Sequence, residues 1–216
     1  MSAGPRIVLV HAVAVAVEPV AAAFAARWPE AEMVNLLEDS LSRDRAAEGE
    51  LSAHMYRRFA ALTRYALDIG ARGILFTCSA FGDAIRAAAE TVPVPVLKPN
   101  EAMFEAALGM GRRIGMLATF EPSVASMEEE FREAAGSAAS IETVCVPEAM
   151  AALRDGDAAT HNRLLAEAAA RLGHCDAVML AHFSTSRAYD AVSSVLARPV
   201  LTSPGAAVDK LRREIG

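Results

Sequence analysis

The stretch Gly73-Ile74-Leu75-Phe76-Thr77-Cys78-Ser79-Ala80-Phe81-Gly82-Asp83-Ala84 decides the fold. Ile74 to Phe76 form a short apolar run that ends abruptly in small and hydroxylated residues around a cysteine. A helical pattern follows. Such a run suits a strand buried on both faces. The C-terminal ends of such strands are where open α/β sheets bind ligands, and Thr77, Cys78 and Ser79 sit there.

A second copy supports this reading. Shifting the chain by 104 positions lays Val178-Met179-Leu180 on Ile74-Leu75-Phe76, and His182 on Cys78. At the same offset Pro199-Val200-Leu201 falls on Pro95-Val96-Leu97. Earlier, Arg6-Ile7-Val8-Leu9-Val10 resembles Arg113-Ile114-Gly115-Met116-Leu117, and each is followed by Glu-Pro, at Glu18-Pro19 and Glu121-Pro122. The expected fold is therefore α/β: two similar lobes, each a parallel sheet flanked by helices, related by an internal pseudo-repeat. Residues 1–98 plus 200–216 are expected to form the first lobe and 99–199 the second. If the halves face each other, Cys78 and His182 flank one cleft.

Strands alternating with helices carry the parallel-sheet reading along the chain. Ile7 to Val10 reads as the first strand with His11 at its tip. The apolar span Ile7 to Val17 has the look of a signal-peptide core, but a single basic residue precedes it and the repeat favours a strand. Val20, Phe24 and Trp28 give the next helix an apolar face. Met33 to Leu37 reads as a strand and Ser40 to Gly49 as an unpatterned charged loop. A long amphipathic helix carries Leu51, Met55, Leu62, Ala66 and Ile69. In the second half a helix is expected to begin at Thr160 or His161.

Composition excludes several classes. The 216 residues suffice for a full core. A net charge of −6 and a pI near 5.4 argue against a nucleic-acid partner. No apolar run reaches the length of a membrane span. Three cysteines without CxxC spacing fit a reducing cytoplasm. No histidine pair has ligand spacing with an acidic residue on the same helix face, so no metal is expected. No glycine-rich phosphate loop is present.

The two tandem halves, the strand ending Thr77-Cys78-Ser79 and the Leu117-Ala118-Thr119 tip opening the second half resemble the aspartate/glutamate racemase superfamily. That group includes aspartate, glutamate and hydantoin racemases, arylmalonate decarboxylase and maleate isomerase. The resemblance spans nearly the whole chain and implies a cofactor-independent enzyme, a small carboxylate substrate and a homodimer or higher homo-oligomer. In the racemases each half supplies a cysteine at the equivalent strand tip. One thiolate removes the proton α to a carboxylate, and the other thiol returns one on the opposite face. Cys78 matches the first cysteine. The second position falls on His182, in Leu180-Ala181-His182-Phe183-Ser184, where the racemases show Leu-Gly-Cys-Thr. The decarboxylase resembles the reverse case and keeps the second-half cysteine.

The chemistry needs a base within reach of a weakly acidic carbon, and donors that hold the enolate-like charge. Cys78 is the candidate acid/base, its alternative being a small buried hydrophobe. His182 is the candidate partner, since an unperturbed imidazole titrates near neutrality; the bland reading is a satisfied, partly buried histidine. His11, Thr77, Ser79, Asn100, Thr119, Ser184 and Thr185 are the candidate substrate-binding residues, each hydroxyl or amide being equally able to cap a helix. Cys145 and Cys175 read as structural, and His54, His161 and His174 as surface or capping residues. Few arginines fall at strand tips, so a second substrate carboxylate has no visible clamp. The favoured function is a racemase or isomerase acting at a carbon α to a carboxylate or carbonyl. The alternatives are a decarboxylase, a cis–trans isomerase in which Cys78 adds to an alkene, and a non-catalytic binding protein.

Overall fold

The structure is a computed structural model, and residues 4–216 are described. They form two four-stranded parallel sheets. Contacts divide the chain into two compact units, one running up to Ala102 and including Ala207–Gly216, the other Met103–Ala206.

In the first unit the strands are β1 (Arg6–His11), β2 (Glu32–Leu37), β3 (Gly73–Phe76) and β4 (Val96–Leu97), in the order β2-β1-β3-β4. The central strands β1 and β3 are almost continuously apolar, as burial on both faces demands. Val8, Val10, Ile74 and Phe76 pack one face against Met55, Phe59, Phe81 and Ile85. These come from α3 (Ala53–Asp68), the turn Ser79–Phe81 and α4 (Gly82–Ala89). The alternating residues Ile7, Leu9 and Leu75 are equally buried. Gly73 belongs to their face: a Cβ there would lie 2.6 Å from Ile215 Cδ1 and 3.1 Å from Leu211 Cδ2. Both residues belong to the last helix, α11 (Ser203–Ile215).

The second unit repeats the plan with β5 (Arg113–Ala118), β6 (Ser140–Cys145), β7 (Ala177–Leu180) and β8 (Val200–Thr202), ordered β6-β5-β7-β8. Leu117, Val178 and Leu180 pack against Leu165 of α8 (Ala158–Ala169) and Val192 of α10 (Tyr189–Val195). The remaining helices are α1 (Val17–Arg27), α2 (Ser40–Glu48), α5 (Glu101–Leu108), α6 (Val124–Ala135), α7 (Pro147–Arg154) and α9 (His182–Thr185). The bounds of β3 and β7 differ by the offset of 104 that the sequence suggests.

Four expectations need correction. Val200–Thr202 belongs to the second sheet: the Val178 amide donates to the Pro199 carbonyl at 2.9 Å, and Val178 pairs with Val200. The first unit also extends to Ala102. Ser40 to Gly49 is a helix and not a loop. It buries a single apolar side chain, Leu41, so it has no hydrophobic period to read. It ends at Gly49, whose φ of 76° suits glycine. The helix α8 starts at Ala158, because the Asp157 carboxylate caps it by accepting from the Thr160 amide at 2.9 Å.

No helix among the described residues is long and apolar enough to cross a membrane.

Candidate active site

In a sheet ordered β2-β1-β3-β4 the strand order reverses between β1 and β3. The ends of those two strands form the crevice where open α/β sheets bind ligands. In the first unit this is the neighbourhood of His11 and Cys78. In the second it is that of Thr119 and His182, after β5 and β7.

Cys78 follows β3 in extended backbone (φ −123°, ψ 122°) and opens the turn Ser79–Phe81. It is half-buried. Burial pushes its thiol above the ordinary value, while hydrogen bonds from the Ala80 amide and the Ser42 hydroxyl pull the other way. Burial wins, so the resting group is a protonated thiol. Val10, Leu41, Phe59, Phe76 and Phe81 line an apolar floor beside it that leaves no room for a water molecule. Phe59 anchors this floor, with its ring 5.2 Å from that of Phe76 and 4.9 Å from that of Phe81.

His11 is fully buried at the end of β1, with both ring nitrogens bonded. Nδ1 is 3.0 Å from Thr77 Oγ1 and Nε2 is 2.9 Å from Asn35 Oδ1. An amide oxygen accepts, so Nε2 carries the hydrogen and Nδ1 accepts from the threonine. Burial lowers the His11 pKa against the opposing effect of Asn35. His11 therefore positions Thr77, itself 6% exposed, and turns no free nitrogen outward. The imidazole is spent on Thr77 and on Asn35 within β2, which leaves the expected direct substrate contact without a free ring nitrogen.

His182 is the one non-glycine residue with positive φ among the described residues, at 70°. It is half-buried, and burial lowers its pKa against an opposing interaction with the Ala181 backbone. Nε2 lies 2.7 Å from Ser123 Oγ. The Ser123 hydroxyl also reaches the Phe120 carbonyl at 2.8 Å, and it has one hydrogen to give. Donating to the carbonyl, it accepts from Nε2–H and leaves Nδ1 as the lone pair. Nδ1 is buried and has no hydrogen-bond partner.

Thr119, 1% exposed, also holds an unpartnered hydroxyl. Ser184 is half-buried and Ser79 exposed. Asn100 is 2% exposed and directly precedes α5. Thr185 is fully buried, and its single hydroxyl hydrogen is shared between the Ala181 and His182 carbonyls. It holds the turn of His182, so the expected substrate donor has its hydrogen committed to the backbone. His161 is also not a surface residue: it is fully buried in α8, with Nδ1 2.8 Å from Asn162 Oδ1.

Sequence reasoning missed Ser42, Asn35, Ser123 and the position of Cys145. Cys145 is the last residue of β6, next to Glu121, and burial with that carboxylate raises its thiol to about 11. Nothing in the sequence separates Ser42 from its neighbours; Asn35 and Ser123 take their meaning from the histidines they touch.

Comparison with known proteins finds the same fold. The chain is similar in fold to allantoin racemase from Klebsiella pneumoniae, at 18% identity and TM-score 0.73, covering 97% of this chain and 87% of that one. Aspartate racemase from Picrophilus torridus gives 14% identity and 0.70, covering 99% and 95%. Unliganded arylmalonate decarboxylase gives 17% and 0.65, covering 98% and 93%. No curated protein matches the chain. The sequence profile described as Asp/Glu/Hydantoin racemase matches residues 13–144, more than half of the sequence. The chain belongs to the Asp/Glu/hydantoin racemase family.

Proposed function

We propose that this chain is a cofactor-independent racemase or isomerase acting at a carbon α to a carboxylate or carbonyl, with Cys78 and His182 as its acid/base residues. What supports it is the placement of Cys78 and His182 just after the equivalent strands β3 and β7, in surroundings that disfavour the charged form of each. Burial raises Cys78 and lowers His182, which makes one a neutral acid and the other a neutral base at pH 7. A two-base proton transfer starts from that combination. In this direction the His182 imidazole takes the α-proton and the Cys78 thiol gives one. The reverse direction starts from imidazolium and thiolate. The unpartnered Thr119 hydroxyl and the Ser79 hydroxyl are donors for the enolate-like oxygens.

A second reading is favoured by the same raised thiol. A protonated Cys78 needs no base to quench an enolate left by loss of carbon dioxide, so a decarboxylase requires less of His182.

The test is α-proton exchange in D2O, followed by NMR, over amino acids, hydroxy acids and hydantoins, with substituted malonates added for carbon dioxide release. The racemase reading expects exchange that disappears in both Cys78→Ala and His182→Ala. Carbon dioxide release without exchange, lost in Cys78→Ala and kept in His182→Ala, supports the decarboxylase instead. No turnover of either kind, with an unreactive Cys78 thiol, overturns both and leaves a binding protein.

A further inference from the structure

A second cluster of chemically active side chains lies within the second unit, away from the strand tips. Glu142 is the third residue of β6, and His174 and Cys175 precede β7. His174 Nε2 is 3.0 Å from Glu142 Oε2 and 3.9 Å from Cys175 Sγ, and one ligand atom from each residue lies within 4.8 Å of the other two. Glu142 and His174 are exposed, whereas Cys175 is 1% exposed.

We propose that Glu142, His174 and Cys175 form a binding site for a borderline-soft divalent cation, Zn2+ by its ligand preferences. The donor set is one thiolate, one imidazole and one carboxylate, the three ligand types that tetrahedral zinc takes. Zinc bond lengths of about 2.3 Å to sulfur and about 2.0 Å to nitrogen and oxygen set the edges of that tetrahedron. The sulfur–nitrogen edge is roughly 3.6 Å and the nitrogen–oxygen edge roughly 3.3 Å. The observed 3.9 Å and 3.0 Å are each within a few tenths of an ångström of these values.

The backbone makes room for the convergence. Gly115 of β5 pairs with Glu142, and a Cβ at Gly115 would lie 3.3 Å from Cys175 Sγ. The missing side chain gives up its place to Leu172, 3.1 Å from that Cβ position, and to the Cys175 sulfur. An exposed histidine–glutamate pair alone contributes little, whereas an ion between the three ligand atoms would tie Glu142, 32 residues away in sequence, to the adjacent His174 and Cys175. Arg113 and Asp176, the nearest other charges, are paired with each other at 3.1 Å and do not compete for the ion. Three protein ligands leave a fourth position for water on the exposed side. The ion would fasten the edge strand β6 to the turn entering β7, on the side of the sheet away from Thr119 and His182.

The experiment uses the whole chain, stripped with chelator and titrated with Zn2+, with Co2+ as the spectroscopic probe. The expected result is one equivalent bound, a thiolate-to-cobalt charge-transfer band, and a higher melting temperature with Zn2+. Binding should weaken by about 100-fold or more in His174→Ala. This change is on an exposed side chain and leaves the fold intact even if Cys175→Ser does not. Cys78→Ala and Cys145→Ala should bind as the wild type does. A titration without the charge-transfer band, or binding that His174→Ala leaves untouched, overturns the proposal and reduces the cluster to a surface ion pair beside a buried thiol.

Discussion

Burial moves the Cys78 thiol and the His182 imidazole in opposite directions from their ordinary values of 9.0 and 6.5. The sign of the pH dependence follows from their assigned roles. A base must be unprotonated, so activity falls as pH drops through the lowered His182 pKa, below 6.5. An acid must be protonated, so it falls as pH rises through the raised Cys78 pKa, above 9.0. The expected kcat/KM profile is flat between those values. A rate still climbing at pH 9 would instead identify a Cys78 thiolate as the base. The backbone at His182 is separately testable. A left-handed residue other than glycine costs of order 1 kcal/mol, and alanine bears that cost where glycine does not. His182→Gly should therefore be more stable than His182→Ala by about 1 kcal/mol, read as a higher urea midpoint. Equal midpoints would mean that the turn relaxes once the ring is gone. The sequence marks Cys78 clearly, because small polar residues interrupt an apolar strand there. It hides the conformation of His182, since no glycine or asparagine announces it, and it hides the burial of His161 among polar helical neighbours.

Among the elements, α2 reaches Cys78 and is the least legible in the sequence. Its sequence is charged and buries only Leu41, yet it brings Ser42 to the sulfur. What holds it is Arg58 of α3, a side chain 18% exposed that pairs with Glu38 and Asp44 and donates to the Ser40 hydroxyl. Ion pairs between distant residues leave no period in a sequence, which is why the helix reads as a loop. Arg58→Ala should cost about 1–2 kcal/mol, the low side for a buried pair because both carboxylates remain wetted. It should also speed alkylation of Cys78, as α2 loosens over the thiol. Lost stability with unchanged alkylation would separate α2 from the thiol's protection. By contrast β3, β7, β4 and β8 were readable from the repeat. Parallel strands buried on both faces must be apolar, and both copies retain that constraint.

At the scale of the molecule, each compact unit is completed by a helix that leaves the other unit's last strand. The chain crosses after Ala102, within α5, and again after Ala206, within α11. Val208 and Leu211 of α11 are fully buried in the first unit. Leu211→Ala should cost about 2–5 kcal/mol, read as a shift in the urea midpoint. A cost below 1 kcal/mol would mean that the neighbouring Ile215 closes the gap. The repeat predicted two lobes but could not show this exchange. The pseudo-symmetry preserves strand order, while the partner of each final helix depends on which apolar face is left uncovered.

The glycine at position 73 has a consequence for synthesis. Its bare backbone is the seat for Leu211 and Ile215, which leave the ribosome some 140 residues after it. The first unit therefore lacks the cover of one sheet face until α11 is in place. Until that arrives, an apolar seat on a buried sheet stands open to water, to chaperones or to a neighbouring nascent chain. A chain ended at residue 206 should present a first unit readily cut by protease, and supplying residues 207–216 as a separate peptide should protect it.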